Sequence, residues 1–165
     1  MTAPIAARWL VSGVLATLAM DLGAALARRV RLTVGLPPPL LGRWFVELAR
    51  GRFAHDTILD VAPVRGELPL ALVTHYSIGI ALTCAFLSLV AARADAAAGY
   101  GFWLAISFGL LTNLLPWLLM FPSMGFGVMG LRGPPELLLV RSSFANHVFF
   151  GLGLWLSLRY LSPLG

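Results

Sequence analysis

The chain has 165 residues, 59% of them hydrophobic, with a mean hydropathy of +0.86. Soluble domains carry roughly 45–50% apolar residues, and here the apolar residues gather in four runs of about 20 or more, enough to cross a hydrocarbon core of roughly 30 Å. A soluble globular domain is thereby excluded; the net charge of +5, from twelve arginines and no lysine, gives little support to a nucleic-acid partner, and the lone Cys84 excludes an intrachain disulfide framework or a CxxC motif.

The first run predicts a transmembrane helix over about residues 5–27. It contains Asp21 and ends in Arg28-Arg29-Val30-Arg31 rather than a small-residue cleavage site, so it reads as a retained helix. Gly13, Thr17 and Asp21 recur at four-residue spacing on one face, and the small residues admit a neighbouring helix. An aspartate side chain is too short to snorkel easily, so Asp21 is expected to face the bundle.

A connection of about residues 28–67 follows. Pro37-Pro38-Pro39 forbids helix where it stands and favours one just after. Over about residues 40–53, Leu40, Leu41, Trp44, Phe45 and Leu48 make one stripe, with Arg43, Glu47 and Arg50 opposite. That pattern predicts an amphipathic helix on the membrane surface. The stretch from His55 to Glu67 is polar and turn-rich.

The second membrane helix is expected over about 68–92 and the third over about 97–120. The short Ala91-Ala92-Arg93-Ala94-Asp95 link makes them antiparallel neighbours, and the third carries Asn113 and a kink at Pro116. Residues 121–131 are glycine-rich yet almost wholly apolar. Irregular backbone of that kind suits a re-entrant or cavity-capping segment. The fourth helix covers about 143–161.

One motif occurs in each half. His75-Tyr76-Ser77-Ile78-Gly79-Ile80-Ala81-Leu82 and His147-Val148-Phe149-Phe150-Gly151-Leu152-Gly153-Leu154 both read H-x-x-x-G-[IL]-[AG]-L. Gly13 to Leu18 likewise resembles Gly109 to Leu114. The fold class expected is an all-α membrane protein: a four-transmembrane-helix bundle of two parallel two-helix repeats, with an amphipathic interfacial helix between helices one and two. Nine arginines lie on the side of the two long connections and three on the other, which places those connections in the cytoplasm and both termini in the periplasm.

Counting inward at about 1.5 Å per residue puts Asp21, His75, Asn113 and His147 at one depth, roughly 10 Å from the cytoplasmic ends of their helices. Polar groups at that depth must satisfy each other or a ligand. Asp21, His75, Asn113 and His147 are therefore the candidate ligand-binding residues, with Glu67 at the entrance. His75, His147 and Asp21, joined by His55, are the candidate metal ligands. Met120, Met124 and Met129 lie near the mouth, where packing is the simpler reading.

Across these residues the chain resembles a bacterial membrane family catalogued as domain of unknown function 2938. The resemblance rests on Ala16-Thr17-x-x-Met20-Asp21, Gly42-Arg43-Trp44, His75-Tyr76-x-x-Gly79, Leu115-Pro116-Trp117, Pro122-x-Met124-Gly125-x-Gly127 and Asn146-His147-x-x-x-Gly151-Leu152-Gly153-Leu154. It covers nearly the whole chain and implies an integral inner-membrane protein, without supplying an activity.

The residues leave several functions open. The leading one is binding or transport of a proton, metal ion or small polar solute in the bilayer, for which a homodimer would supplement four helices. A metal-dependent membrane enzyme acting on lipid comes next, although no HxxxH or HExxH pair is present. A b-type haem protein with His75 and His147 as axial ligands is third. The last is a structural role with the polar layer as interhelical glue. Whether the chain is an enzyme is not decided by these residues, nor is the cofactor, if any.

Overall fold

The computed structural model describes residues 4–91 and 101–161. It is all-helical among those residues, in the order α1 (Ile5–Arg29), α2 (Pro38–Ala49), α3 (Glu67–Ala91), α4 (Phe102–Thr112), α5 (Phe121–Ser123, a single turn) and α6 (Leu139–Leu161). Four stretches are long and apolar enough to cross a membrane: Ile5–Arg29, Glu67–Ala91, Phe102–Ser123 and Pro135–Leu161. The expected link around 91–95 lies largely outside the described residues.

Local chemistry sets the helix ends. Arg28 and Arg29 occupy the last turn of α1, where positive charge suits the helix dipole, and Arg31 at φ 58° ends it. Pro38 supplies the pre-set φ of the first turn of α2. The expected kink at Pro116 is a change of helix type. Pro116 has no N–H to donate to the Thr112 carbonyl, and Pro116–Met120 runs as π-helix before α5 closes the span. The last helix begins four residues before the expected Ser143, because Arg141 is exposed and no obstacle to helix.

Glycines bring the helices together in antiparallel pairs. A Cβ on Gly13 would stand 2.6 Å from Ile80 Cα, and one on Gly79 would stand 1.9 Å from Thr17 Oγ1, so α1 and α3 cross in near-backbone contact. Gly109 and Gly151 do the same for α4 and α6, with 2.8 Å from the Gly109 Cβ position to Gly151 Cα. Gly153 against Ala16 and Ala19, and Gly23 against Phe149, seat α6 along α1. Such contacts drive association where lipid removes the hydrophobic incentive.

Two apolar cores result. One joins Ala16, Phe86, Leu87, Val90, Ala105, Phe150 and Leu154. The other lies at the end of the long connections and joins Trp44, Ile58, Phe121, Met124, Phe126 and Leu139. The glycine-rich stretch after α5 folds into this second core, with Gly125, Gly127 and Gly130 at positive φ. Met124 is fully buried there, as packing rather than as a soft ligand.

The polar face of α2 differs from expectation. Arg43 and Glu47 are buried with Leu40 and Trp44, instead of facing water on the opposite side from them. The reason is charge pairing. Arg43 meets Glu67 through two hydrogen bonds and gives a third to the Val61 carbonyl, while Glu47 is held by Arg50 and Arg52. A helix so paired can be covered on nearly every side.

Candidate functional site

A cluster of three polar side chains lies where α1 crosses α3. Asp21 stands one turn beyond Thr17 on the face that meets α3, and His75 stands one turn before Gly79 on the face that meets α1. His75 Nε2 lies 3.1 Å from Asp21 Oδ1, and the Tyr76 hydroxyl donates to Oδ2 at 3.0 Å. One carboxylate thus accepts two hydrogen bonds from adjacent residues, the imidazole and phenol rings lying edge-on at 5.7 Å. The side chains of Asp21 and His75 remain 41% and 27% exposed, so the pair is reached from outside the protein core.

His147 belongs to the other helix pair. Its Nδ1 lies 2.8 Å from Thr112 Oγ1 and 3.2 Å from the Gly109 carbonyl. A carbonyl only accepts, so Nδ1 is the donor in that contact. Thr112 itself donates to Gly109 O at 2.6 Å, which completes the small cluster.

Asn113 is 1% exposed and accepts at Oδ1 from the Ser143 hydroxyl. Its Nδ2 has no hydrogen-bond partner from the protein. The same holds four residues on for Trp117 Nε1.

These groups form a staircase, where the sequence count placed them at one depth. Because Gly23 faces Phe149 and Ala19 faces Gly153, Asp21 lies level with about Gly151 of α6. His147 is one turn nearer the long connections, and Ser143, which holds Asn113, is a further turn along. Each step of four residues is about 6 Å. Counting from helix ends failed because the ends are staggered, with α6 starting earlier than its composition suggested.

The remaining candidates sit elsewhere. Glu67 is engaged by Arg43, at 2.9 and 3.0 Å, and so fastens α2 instead of standing free at an entrance. His55 is in the connection after α2, where its Nδ1 donates to the Ser123 carbonyl at 3.0 Å. Its Nε2 is buried without a hydrogen-bond partner, 3.9 Å from Glu47 Oε2. The Arg50 and Arg52 guanidinium groups beside Glu47 hold its carboxyl below the ordinary value. Among the described residues no three His, Cys, Asp or Glu side chains converge as metal ligands. Of the set His75, His147, Asp21 and His55, contact is made by Asp21 and His75.

The motifs that run through this staircase are spread along almost the whole chain, and a family model described as "Protein of unknown function (DUF2938)" matches residues 10–160. The chain belongs to the DUF2938 family. No curated protein and no solved structure matches it. Within this DUF2938 chain, sequence reasoning missed Tyr76, Thr112, Trp117 and Ser143. Tyr76 was legible as the neighbour of a membrane histidine. Trp117 was legible at four-residue spacing from Asn113, whereas Thr112 and Ser143 carry no such signal, because their roles arise from which helices meet.

Proposed function

We propose that this DUF2938 protein is a multi-pass protein of the bacterial inner membrane that takes up a proton, or a small cation in its place, at Asp21, His75 and Tyr76. The observation that carries this reading is the single carboxylate at membrane depth that accepts from both an imidazole and a phenol while staying partly open. An isolated charge there is costly. A carboxylate paired with an imidazole can pass between neutral and ionised pairs as a proton moves, so the pair suits a proton better than a chelated metal, which needs more donors. That no three such ligands converge among the described residues counts against the metal-dependent enzyme and against His55 as a metal ligand.

In this reading the two long connections are cytoplasmic, both termini are periplasmic, and the site is entered from the cytoplasmic side. The α2 helix lies at that interface. The α1–α3 and α4–α6 pairs, each crossing at its own glycines, are two parallel repeats whose polar partners have diverged. A homodimer supplements a bundle that is small for alternating access.

Proteoliposomes given a potassium diffusion potential with valinomycin, negative inside, and an internal pH dye provide the test. Acidification is expected with the wild-type protein and is lost with Asp21→Asn. Equal acidification by wild type and Asp21→Asn refutes the reading.

A further inference from the structure

We infer that the interior face of the third membrane span, at Asn113 and Trp117, binds ordered water, and that this water connects the Asp21–His75 site with the end of the long connections. The first half stands on its own observations; the second rests on the proton-uptake reading above.

Three buried side-chain nitrogens among the described residues have no hydrogen-bond partner from the protein: Asn113 Nδ2, Trp117 Nε1 and His55 Nε2. They are not scattered. Asn113 directly follows Thr112 of the His147–Thr112 cluster, Trp117 is four residues further, and His55 bonds to Ser123 six residues beyond Trp117. The order runs from the middle of the bundle to the loops. Buried polar groups in native proteins are paired with protein or ordered water, and leaving them unpaired is costly.

The chemistry selects the occupant. An indole N–H only donates, so Trp117 needs an acceptor oxygen. Whichever way the Asn113 amide is turned, Ser143 serves one of its ends and the other faces the interior. Pro116 removes the donor that a regular helix would offer the Thr112 carbonyl, and the π-helical turn Pro116–Met120 follows directly. One helix face therefore presents an unserved donor at Trp117 and an unserved amide end at Asn113. Water is small enough, donates and accepts, and can serve both. Turns of π-helix recur at functional sites.

The path follows from succession. Asp21 and His75 come first, His147 with Thr112 and the adjacent Asn113 about a turn later, then Trp117 a turn beyond Asn113, packed against the second apolar core. Beyond it Trp44 Nε1 donates to Ser123 Oγ at 2.7 Å, and His55 faces the Glu47 carboxylate. In this proposal water bridges these levels.

Radiolytic hydroxyl labelling of the purified protein in mild detergent, read by mass spectrometry on the millisecond scale, tests the water. Trp117 is expected to label as quickly as the exposed Phe53, and Leu154, fully buried in the other core, not to label. Asn113→Leu should slow labelling of Trp117 and leave Phe53 unchanged. A wild-type Trp117 as inert as Leu154 overturns the water site. For the path, the infrared carboxyl band lost in Asp21→Asn is followed after a pH jump. With Asn113→Leu or Trp117→Phe the band should reach the same end point about tenfold more slowly. Unchanged rates in both variants overturn the path. A band that never responds to pH in the wild type overturns the proton-uptake site instead, so the two failures are told apart.

Discussion

Arg43 and Glu67 meet through two parallel hydrogen bonds, Nε to Oε2 at 2.9 Å and Nη2 to Oε1 at 3.0 Å, and this fork ties α2 to the first turn of α3. The side chains are 9% and 14% exposed, so either partner left alone would be a poorly solvated charge. Arg43→Gln or Glu67→Gln is expected to destabilise the detergent-solubilised protein by about 3 kcal/mol, the lower end for a broken buried pair. The double change Arg43→Met with Glu67→Leu should cost less than either single change. Thermal unfolding of the three variants checks this, and an additive double variant would contradict the pairing argument.

Acid should loosen the connection after α2 through Glu47. Its folded-state pKa is depressed by Arg50 first and then Arg52. A depressed carboxylate stabilises the fold above the ordinary carboxylate range and loses that contribution as pH falls through the folded value. The amides of His55 and Ile58, which bond to the Ser123 and Met124 carbonyls, report on this docking. After correction for intrinsic rates, their hydrogen-exchange protection should fall on acidification in the wild type. In Glu47→Gln it should be low already and nearly independent of pH. A wild-type acid loss that persists in Glu47→Gln would assign it to another group.

Glycine positions rank by what a methyl group would meet. At Gly42 an added Cβ would lie 1.8 Å from the Glu67 carbonyl oxygen, and at Gly109 2.5 Å from the His147 carbonyl oxygen, both backbone atoms that cannot rotate away. Gly42→Ala and Gly109→Ala should each cost about 1–3 kcal/mol by overpacking. Gly101 has nothing within 4 Å and no positive φ, so Gly101→Ala serves as the neutral control. Comparable unfolding temperatures for Gly109→Ala and Gly101→Ala would refute the close α4–α6 crossing.

Asp21→Asn should separate chemistry from packing. Asparagine matches aspartate in size and can still accept from Tyr76, and interhelical hydrogen bonds in membranes average only about 0.6 kcal/mol. The variant is expected to insert, remain monodisperse and unfold close to the wild-type temperature. Size-exclusion profiles that show aggregation for Asp21→Asn but not for Tyr76→Phe would instead make the carboxylate a structural requirement.

Orientation is open to direct labelling. In a Cys84→Ser background, Arg52→Cys and Asp95→Cys should react with a membrane-impermeant maleimide from opposite sides, position 52 from the cytoplasm. Reaction of position 52 in intact cells with a permeabilised outer membrane would invert the topology and the side from which the site opens.

Composition and run length by themselves determined that the described residues are all-helical with four membrane-length apolar helices, because a bilayer forces backbone bonding within each segment. Small residues at four-residue spacing marked the α1 face that meets α3, and the His-x-x-x-Gly motifs marked both antiparallel crossings. Burial of Arg43 and Glu47 was not legible, since an amphipathic stripe says which face is apolar and not whether distant charges will neutralise the other. Nor was the staircase. Which of Asp21, His75, His147 and Asn113 touch depends on the relative slide of four helices. That slide is set by tertiary contacts such as Gly23 against Phe149 and Gly109 against Gly151. Periodicity fixes the direction of a side chain around its own axis, and only packing fixes its height beside a neighbour.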